Sequence, residues 1–392
     1  MPKRVGMEVS IAVAEAVKLA DADVIAAYPI TPQTHIVEHL SELVADGELD
    51  AEFICVESEH SAMSACVGSA AVGARSFTAT ASQGLALMHE ILFITSAMRM
   101  PVVMVVANRS LSAPLSIWND HSDIMASRDC GWIQYFVENG QEAFDHVLIS
   151  FRVGEDPDVL LPVIVNLDGF ILSHVIESHI LLDQEDVARF LPPFQPRYRL
   201  DPDHPLTMGD FAMPDLYTET KKSQEEALRG AMPVIRKTWK EYGDLTGRYY
   251  SAVESYKTEG AEVLLLTMGA LGETASVAVD RLRDAGRPVG LLKLRLWRPF
   301  PAEEIIQAVG DAKTLLVMDR AISFGAGANP VAAEIATLFY DREVRPRIHN
   351  VVAGLGGRDV KVEDFQAVME RGLGMDTGLA PTGQFELIGV RE

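Results

Sequence analysis

Two successive α/β units, each a three-layer arrangement around a parallel sheet, are the fold class that three features of this 392-residue chain predict. Short apolar runs alternate with helical periodicity from residue 8 to about 190, and again from about 246 onward. That alternation marks strands covered by helices on both faces. A proline-rich interval separates the two stretches, and the length exceeds the roughly 250 to 300 residues at which one hydrophobic core stops growing.

In the first unit, residues 1–190, strands are expected near Val24–Tyr28, Phe53–Val56, Ser76–Ala79, Val102–Ala107 and Val159–Asn166, with helices between them. Residues 191–245 read as a linker or arm and a helix. Pro192, Pro193, Pro196, Pro202, Pro205 and Pro214 argue against regular structure over about 191–220, and the charged stretch Lys221–Tyr242 has helical character. The second unit, residues 246–392, carries expected strands near Glu262–Thr267, Val289–Leu294, Thr314–Met318 and Ile348–Val352. No repeat is visible beyond the βα alternation of both halves.

Composition narrows the partners. With 56 acidic against 34 basic residues the formal charge is −22, a field that repels nucleic acid phosphates and anionic lipid head groups. Neither nucleic acid nor a membrane is an expected partner. Apolar runs such as Pro101–Ala107 are strand length, far short of the roughly 20 residues that span a bilayer. The amino terminus, interrupted by Glu8, Glu15 and Lys18, makes a poor signal-peptide core, so a cytoplasmic location is expected. Cys55, Cys66 and Cys130 contain no C-x-x-C pair and fall short of the four thiolates of an ordinary iron–sulfur cluster. All three are expected to be buried, reduced thiols.

Ligands of parallel sheets bind beyond the carboxyl ends of the strands, and four such positions carry polar residues. Thr31, in Tyr28-Pro-Ile-Thr-Pro32, is placed as an N-cap with Pro32 at the first helical position. In Glu57-Ser-Glu-His60, Ser58 is the expected cap and Glu59 lies in the first turn. Ser82 follows the third strand and Arg109 the fourth, each about one βα unit from the last, so the four residues are expected along one rim. Capping alone accounts for Thr31 and Ser82, and an acid in a first turn complements the helix dipole. Arg109 has no such explanation: a guanidinium directly after an apolar run is best placed to meet an anion.

Two patterns point elsewhere. His35-Ile-Val-Glu-His39 matches a zinc-peptidase motif, but an amphipathic helix accounts for the same spacing, and no metal site is expected in this chain. Gly325-Ala-Gly-Ala-Asn-Pro330 lacks the third glycine and the distal acid of a dinucleotide loop and reads as a tight turn. Of the histidines at strand ends, His60, His89, His121 and His174, the neighbour of Glu59 is the one singled out for acid–base work.

Taken together, Tyr28-Pro-Ile-Thr-Pro32, Glu57-Ser-Glu-His-Ser-Ala62, Phe77-Thr-Ala-Thr-Ala-Ser-Gln-Gly84, Asn108-Arg-Ser-Leu-Ser-Ala-Pro114, Ile117-Trp-Asn-Asp120, Asp168-Gly-Phe170 with Ser173-His174, and Gly354-Leu-Gly-Gly-Arg-Asp359 resemble the alpha subunit of the pyruvate:ferredoxin oxidoreductase family over nearly the whole chain. The resemblance implies a thiamine-diphosphate pyrimidine-binding-like domain followed by a transketolase C-terminal-like domain. It implies oxidative decarboxylation of pyruvate or a related 2-oxoacid to acyl-coenzyme A and carbon dioxide, with electrons passing through iron–sulfur clusters to ferredoxin. Relatives that act on aryl or branched-chain 2-oxoacids with NAD as final acceptor, and a non-catalytic interface subunit, are the alternatives.

By the same resemblance, Glu59 is the catalytic carboxylate, which bonds the aminopyrimidine and favours the tautomer able to remove the thiazolium proton. Thr31 and Arg109 match the substrate-binding pair, the arginine neutralising the 2-oxoacid carboxylate. Pro29, Ile30 and Ser82, with Glu59, are the expected cofactor contacts. The chain has no Gly-Asp-Gly motif followed by an asparagine for magnesium, so thiamine diphosphate is expected to be shared with a beta subunit that holds its diphosphate and Mg. The 4Fe–4S clusters are expected on ferredoxin-like gamma and delta subunits, with coenzyme A as co-substrate.

Overall fold

Strands such as Val103–Asn108, Val163–Asp168 and Thr314–Asp319 are buried at every position, as a parallel sheet sandwiched between helices requires. The computed structural model describes residues 3–374 and 385–391. In the first part of the chain β1 (Lys3–Glu8), β2 (Val24–Ala27), β3 (Glu52–Cys55), β4 (Ser76–Thr80), β5 (Val103–Asn108), β6 (Ile133–Phe136), β7 (Val163–Asp168) and β8 (Ile176–Leu181) alternate with α1 (Val9–Leu19), α2 (Thr34–Ala45), α3 (Glu59–Ala71), α4 (Ser82–Ala97), α5 (Ser122–Ala126), α6 (Gly140–Gly154) and α7 (Gln184–Phe190). The long α8 (Pro214–Thr246) leads to β9 (Val253–Tyr256), β10 (Val263–Thr267), β11 (Val289–Leu294), β12 (Leu296–Arg298), β13 (Thr314–Asp319), β14 (Arg347–Val352) and β15 (Glu386–Leu387), with α9 (Leu271–Asp284), α10 (Ala302–Val309), α11 (Pro330–Phe339) and α12 (Val362–Leu373) among them.

The first sheet has the order β12-β6-β7-β5-β4-β2-β3 and the second β15-β14-β13-β10-β11-β9. Pairing is parallel apart from β12 on β6 and β9 on β11, and β1 and β8 form a separate antiparallel ribbon. The expected strands are present, the fifth starting later, at Val163, because Leu160 takes a left-handed φ of 44° just before Pro162. The short β6, β9 and β12, and the β1–β8 ribbon, were not anticipated. Nor was it anticipated that β12, from the stretch assigned to the second unit, would close the edge of the first sheet.

A common core joins the sheets: Phe136, Ile164 and Trp297 of the first pack in one cluster with Leu264, Leu292 and Val317 of the second. Residues 191–213 lack regular structure, as their prolines predict, but the helix expected from Lys221 begins at Pro214, a residue suited to the first helical position. Its carboxyl-terminal half buries Ile235, Trp239 and Tyr242. No helix among the described residues is long and apolar enough to cross a membrane. Cys66 and Cys130 are buried, and burial pushes their thiols up to about 12, whereas Cys55, expected to be buried, is exposed because β3 is an edge strand.

Candidate active site

Because β5, β4, β2 and β3 are consecutive and parallel, the residues just past their carboxyl ends, Arg109, Ser82, Thr31 and Glu59, follow one another along a single rim. Ser58 is the cap that the sequence predicts, its hydroxyl accepting from the Ser61 N–H at 3.2 Å. This sets Glu59 as the first residue of α3, 6% exposed. No hydrogen-bond partner for its carboxylate exists among the described residues. It lies instead against Gly84 of α4: a Cβ there would come within 2.7 Å of Glu59 Oε1 and 2.4 Å of Thr80 Oγ1. Thr80 Oγ1 is itself buried and without a partner. Two polar groups thus meet beside Gly84 without hydrogen-bond partners among the described residues, a costly arrangement where they are buried.

Thr31 is not the N-cap of α2. The helix begins at Thr34 with Gln33 as cap, because Tyr28–Pro32 closes into a turn of its own: the Gln33 N–H donates to the Ile30 carbonyl and Gln33 Nε2 to the Tyr28 carbonyl, both at 2.9 Å. Pro29 and Thr31 are exposed on this turn and Ile30 is half-buried. The Thr31 carbonyl accepts from Arg109 Nη1 at 2.9 Å, and Arg109 Nε donates to the Ser116 carbonyl at 3.0 Å. Arg109 Nη2 has no partner among the described residues. Burial lowers the pKa of this guanidinium and nearby Asp123 raises it, with a net lowering, yet no carboxylate is hydrogen-bonded to its side chain. The structure thus joins Thr31 to Arg109 through the Thr31 carbonyl.

Ser82 faces inward. Fully buried, its hydroxyl reaches the Ser110 carbonyl at 2.6 Å, and Ala81, not Ser82, occupies the cap position of α4. Asp123, which sequence reasoning missed, connects the two loops: its Oδ2 accepts the backbone N–H groups of Ser82 and Arg109, each at 3.0 Å. Burial raises the Asp123 carboxyl to about 6 against the pull of these donors.

Comparison with known proteins carries the reading further. A family model described as pyruvate flavodoxin/ferredoxin oxidoreductase, thiamine diphosphate binding, matches residues 15–240, and one for pyruvate:ferredoxin oxidoreductase core domain II matches residues 261–365. Pyruvate synthase subunit PorA of Methanothermobacter thermautotrophicus is 52% identical over 92% of this chain and 93% of its own length. The chain belongs to the pyruvate:ferredoxin oxidoreductase family. Pyruvate synthase subunit PorA of Thermotoga maritima is 47% identical over 94% of each chain, and ketoisovalerate oxidoreductase subunit VorA of Pyrococcus horikoshii 44% identical over 90% and 89%. Two solved structures share the fold. A 2-oxoglutarate:ferredoxin oxidoreductase from Magnetococcus marinus has a TM-score of 0.72 at 18% identity, this chain covering 66% of it, and a split-gene transketolase has a TM-score of 0.58 at 13% identity.

In this oxidoreductase chain, the remaining motif strings meet where the carboxyl ends of the two sheets face each other. Asp168, at the end of β7, accepts from His121 Nε2 at 2.8 Å, Arg320 Nη1 at 2.7 Å and the Ala270 N–H at 2.9 Å. Burial opposes ionisation of Asp168, but Arg320 and His121 outweigh it and hold the carboxyl well below the usual range. The Gly354–Asp359 string docks on the 117–120 string: the Gly357 N–H donates to the Asn119 carbonyl at 2.5 Å and the Gly356 N–H to Asp120 Oδ2 at 3.2 Å. A Cβ on Gly357 would lie 2.5 Å from Trp118 Cβ, so only glycine fits. Among the other histidines, His89 bonds Ser127 at 3.0 Å, while His60, 3.6 Å from Glu90, lies open to solvent and makes no hydrogen bond with Glu59.

Proposed function

We propose that this chain is the alpha-type subunit of a thiamine-diphosphate-dependent pyruvate:ferredoxin oxidoreductase and that Glu59 is its catalytic carboxylate. The observation that carries the reading is the buried, unpartnered Glu59 carboxylate seated against Gly84. An aminopyrimidine presents a ring nitrogen and an amino group at its edge, and such a carboxylate fits it as hydrogen-bond partner. When bound, thiamine diphosphate supplies the carbon nucleophile that adds to the 2-oxo carbon of the substrate. Glu59 holds a proton at the pyrimidine ring nitrogen, Pro29 and Ile30 line the ring, and Ser82 secures the loop wall through Ser110. Arg109, anchored on the Thr31 carbonyl, orients and neutralises the 2-oxoacid carboxylate.

The pyruvate synthase relatives are more similar in sequence than VorA, which favours pyruvate over a branched-chain 2-oxoacid. The diphosphate and Mg belong, in this reading, to a beta subunit. Gamma and delta subunits carry the 4Fe–4S clusters that pass electrons to ferredoxin, the acyl group leaves on coenzyme A, and the complex works in the cytoplasm.

Glu59→Gln tests this. General acid–base catalysis contributes roughly 10²- to 10⁴-fold, so the variant complex is expected to assemble normally and lose that much coenzyme-A-dependent viologen reduction with pyruvate. Assembly with unchanged turnover defeats the assignment and leaves an interface subunit. A panel of 2-oxoacids assayed alongside ranks the substrates.

A further inference from the structure

Glu8, His35 and His174 come together behind the Thr31 turn from three separate segments. Glu8 ends β1, His35 is the second residue of α2, and His174 lies on the connection between β7 and β8. One ligand-type atom from each lies within 4.8 Å of the others. His35 Nδ1 is 2.6 Å from Glu8 Oε1, and the two imidazole centroids are 4.5 Å apart. Phe170 packs against His174, with ring centroids 4.6 Å apart. Ser173 Oγ is 2.7 Å from His174 Nδ1; with Nδ1–H donating to it, the Nε2 lone pair is free, the arrangement by which outer partners orient a metal-binding imidazole.

The Glu8–His35 contact alone gives no reason for a second imidazole stacked against it, which His174 supplies. The cluster also opens to solvent, His35 being 43% and Glu8 23% exposed, so an ion and its waters have a path in. Two imidazoles and one carboxylate suit a zinc-class cation. The pattern His35-Ile-Val-Glu-His39 is not the site, since His39 turns away to Glu15 at 3.0 Å and Glu42 at 3.4 Å.

We propose that Glu8, His35 and His174 bind one divalent ion of the zinc class, with water completing its shell. The ion braces the substrate turn: α2 starts just after Pro32, and Gly169, five residues before His174, is pressed so closely to Pro32 that a Cβ would lie 2.6 Å from Pro32 Cγ. This site depends on neither the cofactor nor the assignment of Glu59.

The test is zinc content per copy of this chain in the assembled enzyme, measured after chelation and reloading with Zn²⁺ in the wild type and in Glu8→Gln, His35→Gln, His174→Gln, Ser173→Ala and His39→Gln variants. Comparing variants cancels metal held by other subunits. Wild type and His39→Gln are expected to hold one more zinc than His35→Gln and His174→Gln, and Ser173→Ala to bind about 10-fold more weakly. Glu8→Gln and His35→Gln alter solvent-open side chains and keep the test valid should His174→Gln fail to assemble. Equal zinc in wild type, Glu8→Gln and His35→Gln overturns the proposal, as does loss of the ion in His39→Gln. Displacement by an equal concentration of Mg²⁺, a cation that prefers oxygen ligands, overturns the zinc-class assignment.

Discussion

At Gly84 a single methyl group decides whether the Glu59 carboxylate can occupy its place. Alanine there puts a Cβ 2.7 Å from Glu59 Oε1 and 2.4 Å from Thr80 Oγ1, below any ordinary contact, and the freest atoms to yield are those of the glutamate side chain. Helix propensity improves by about 1 kcal/mol for Gly→Ala while overpacking costs about 1–3 kcal/mol, so stability changes modestly. Gly84→Ala is therefore expected to lower kcat by at least about 10-fold with a small shift in Tm, measured on the assembled enzyme. Arg109 calls for a different readout. Arg109→Lys keeps a positive charge but cannot hold both the Thr31 and Ser116 carbonyls while facing a substrate. Hydrogen bonds to charged groups are worth about 1.5–3 kcal/mol, so KM for pyruvate should rise roughly 10- to 100-fold with a smaller change in kcat.

Among the elements, long buried strands with full apolar runs were legible in the sequence, and so was the Ser58 cap with Glu59 behind it. The four-residue β6 and three-residue β12 were not, because runs that short carry no period and owe their pairing to tertiary neighbours. Thr31 was misread as a cap because a proline after a threonine looks like the first position of a helix, whereas Gln33 folds back on the Tyr28 and Ile30 carbonyls. The signal that marked Arg109, a guanidinium just past an apolar strand, stands equally at Arg320 after β13 and would have found the Asp168 cluster. Beside Arg320, the Asp319 carboxyl accepts the Val331 N–H at 2.8 Å and the Ala332 N–H at 3.2 Å at the start of α11. Burial, working against those donors, raises it to about 7. The folded chain thus keeps a proton that the unfolded chain, with a carboxyl near 3.9, has released. The contribution of this carboxyl to stability then falls as pH rises from about 4 toward 7. Chemical denaturation across that range is expected to show the stability of Asp319→Asn gaining on that of the wild type as pH rises.

Across the whole molecule, buried ionic seams tie the two sheets. Asp168 with Arg320 and His121 forms one, and the other runs from Lys293 to Glu138 at 2.7 Å and from Arg295 to Glu142 at 2.5 Å. Removing one partner of a buried pair leaves an uncompensated charge at a cost of about 3–5 kcal/mol. Asp168→Asn should lose that much in denaturant unfolding at neutral pH. Because its folded pKa is depressed, the wild-type contribution persists throughout the range above the ordinary carboxylate pKa and fades only as pH falls through the depressed value. The loan of β12 to the first sheet has a mechanical corollary. Swinging the two halves apart would peel three residues off the β6 border and expose a raw sheet margin, as well as dividing the core around Trp297. The halves are therefore held together by backbone pairing as well as by side-chain packing.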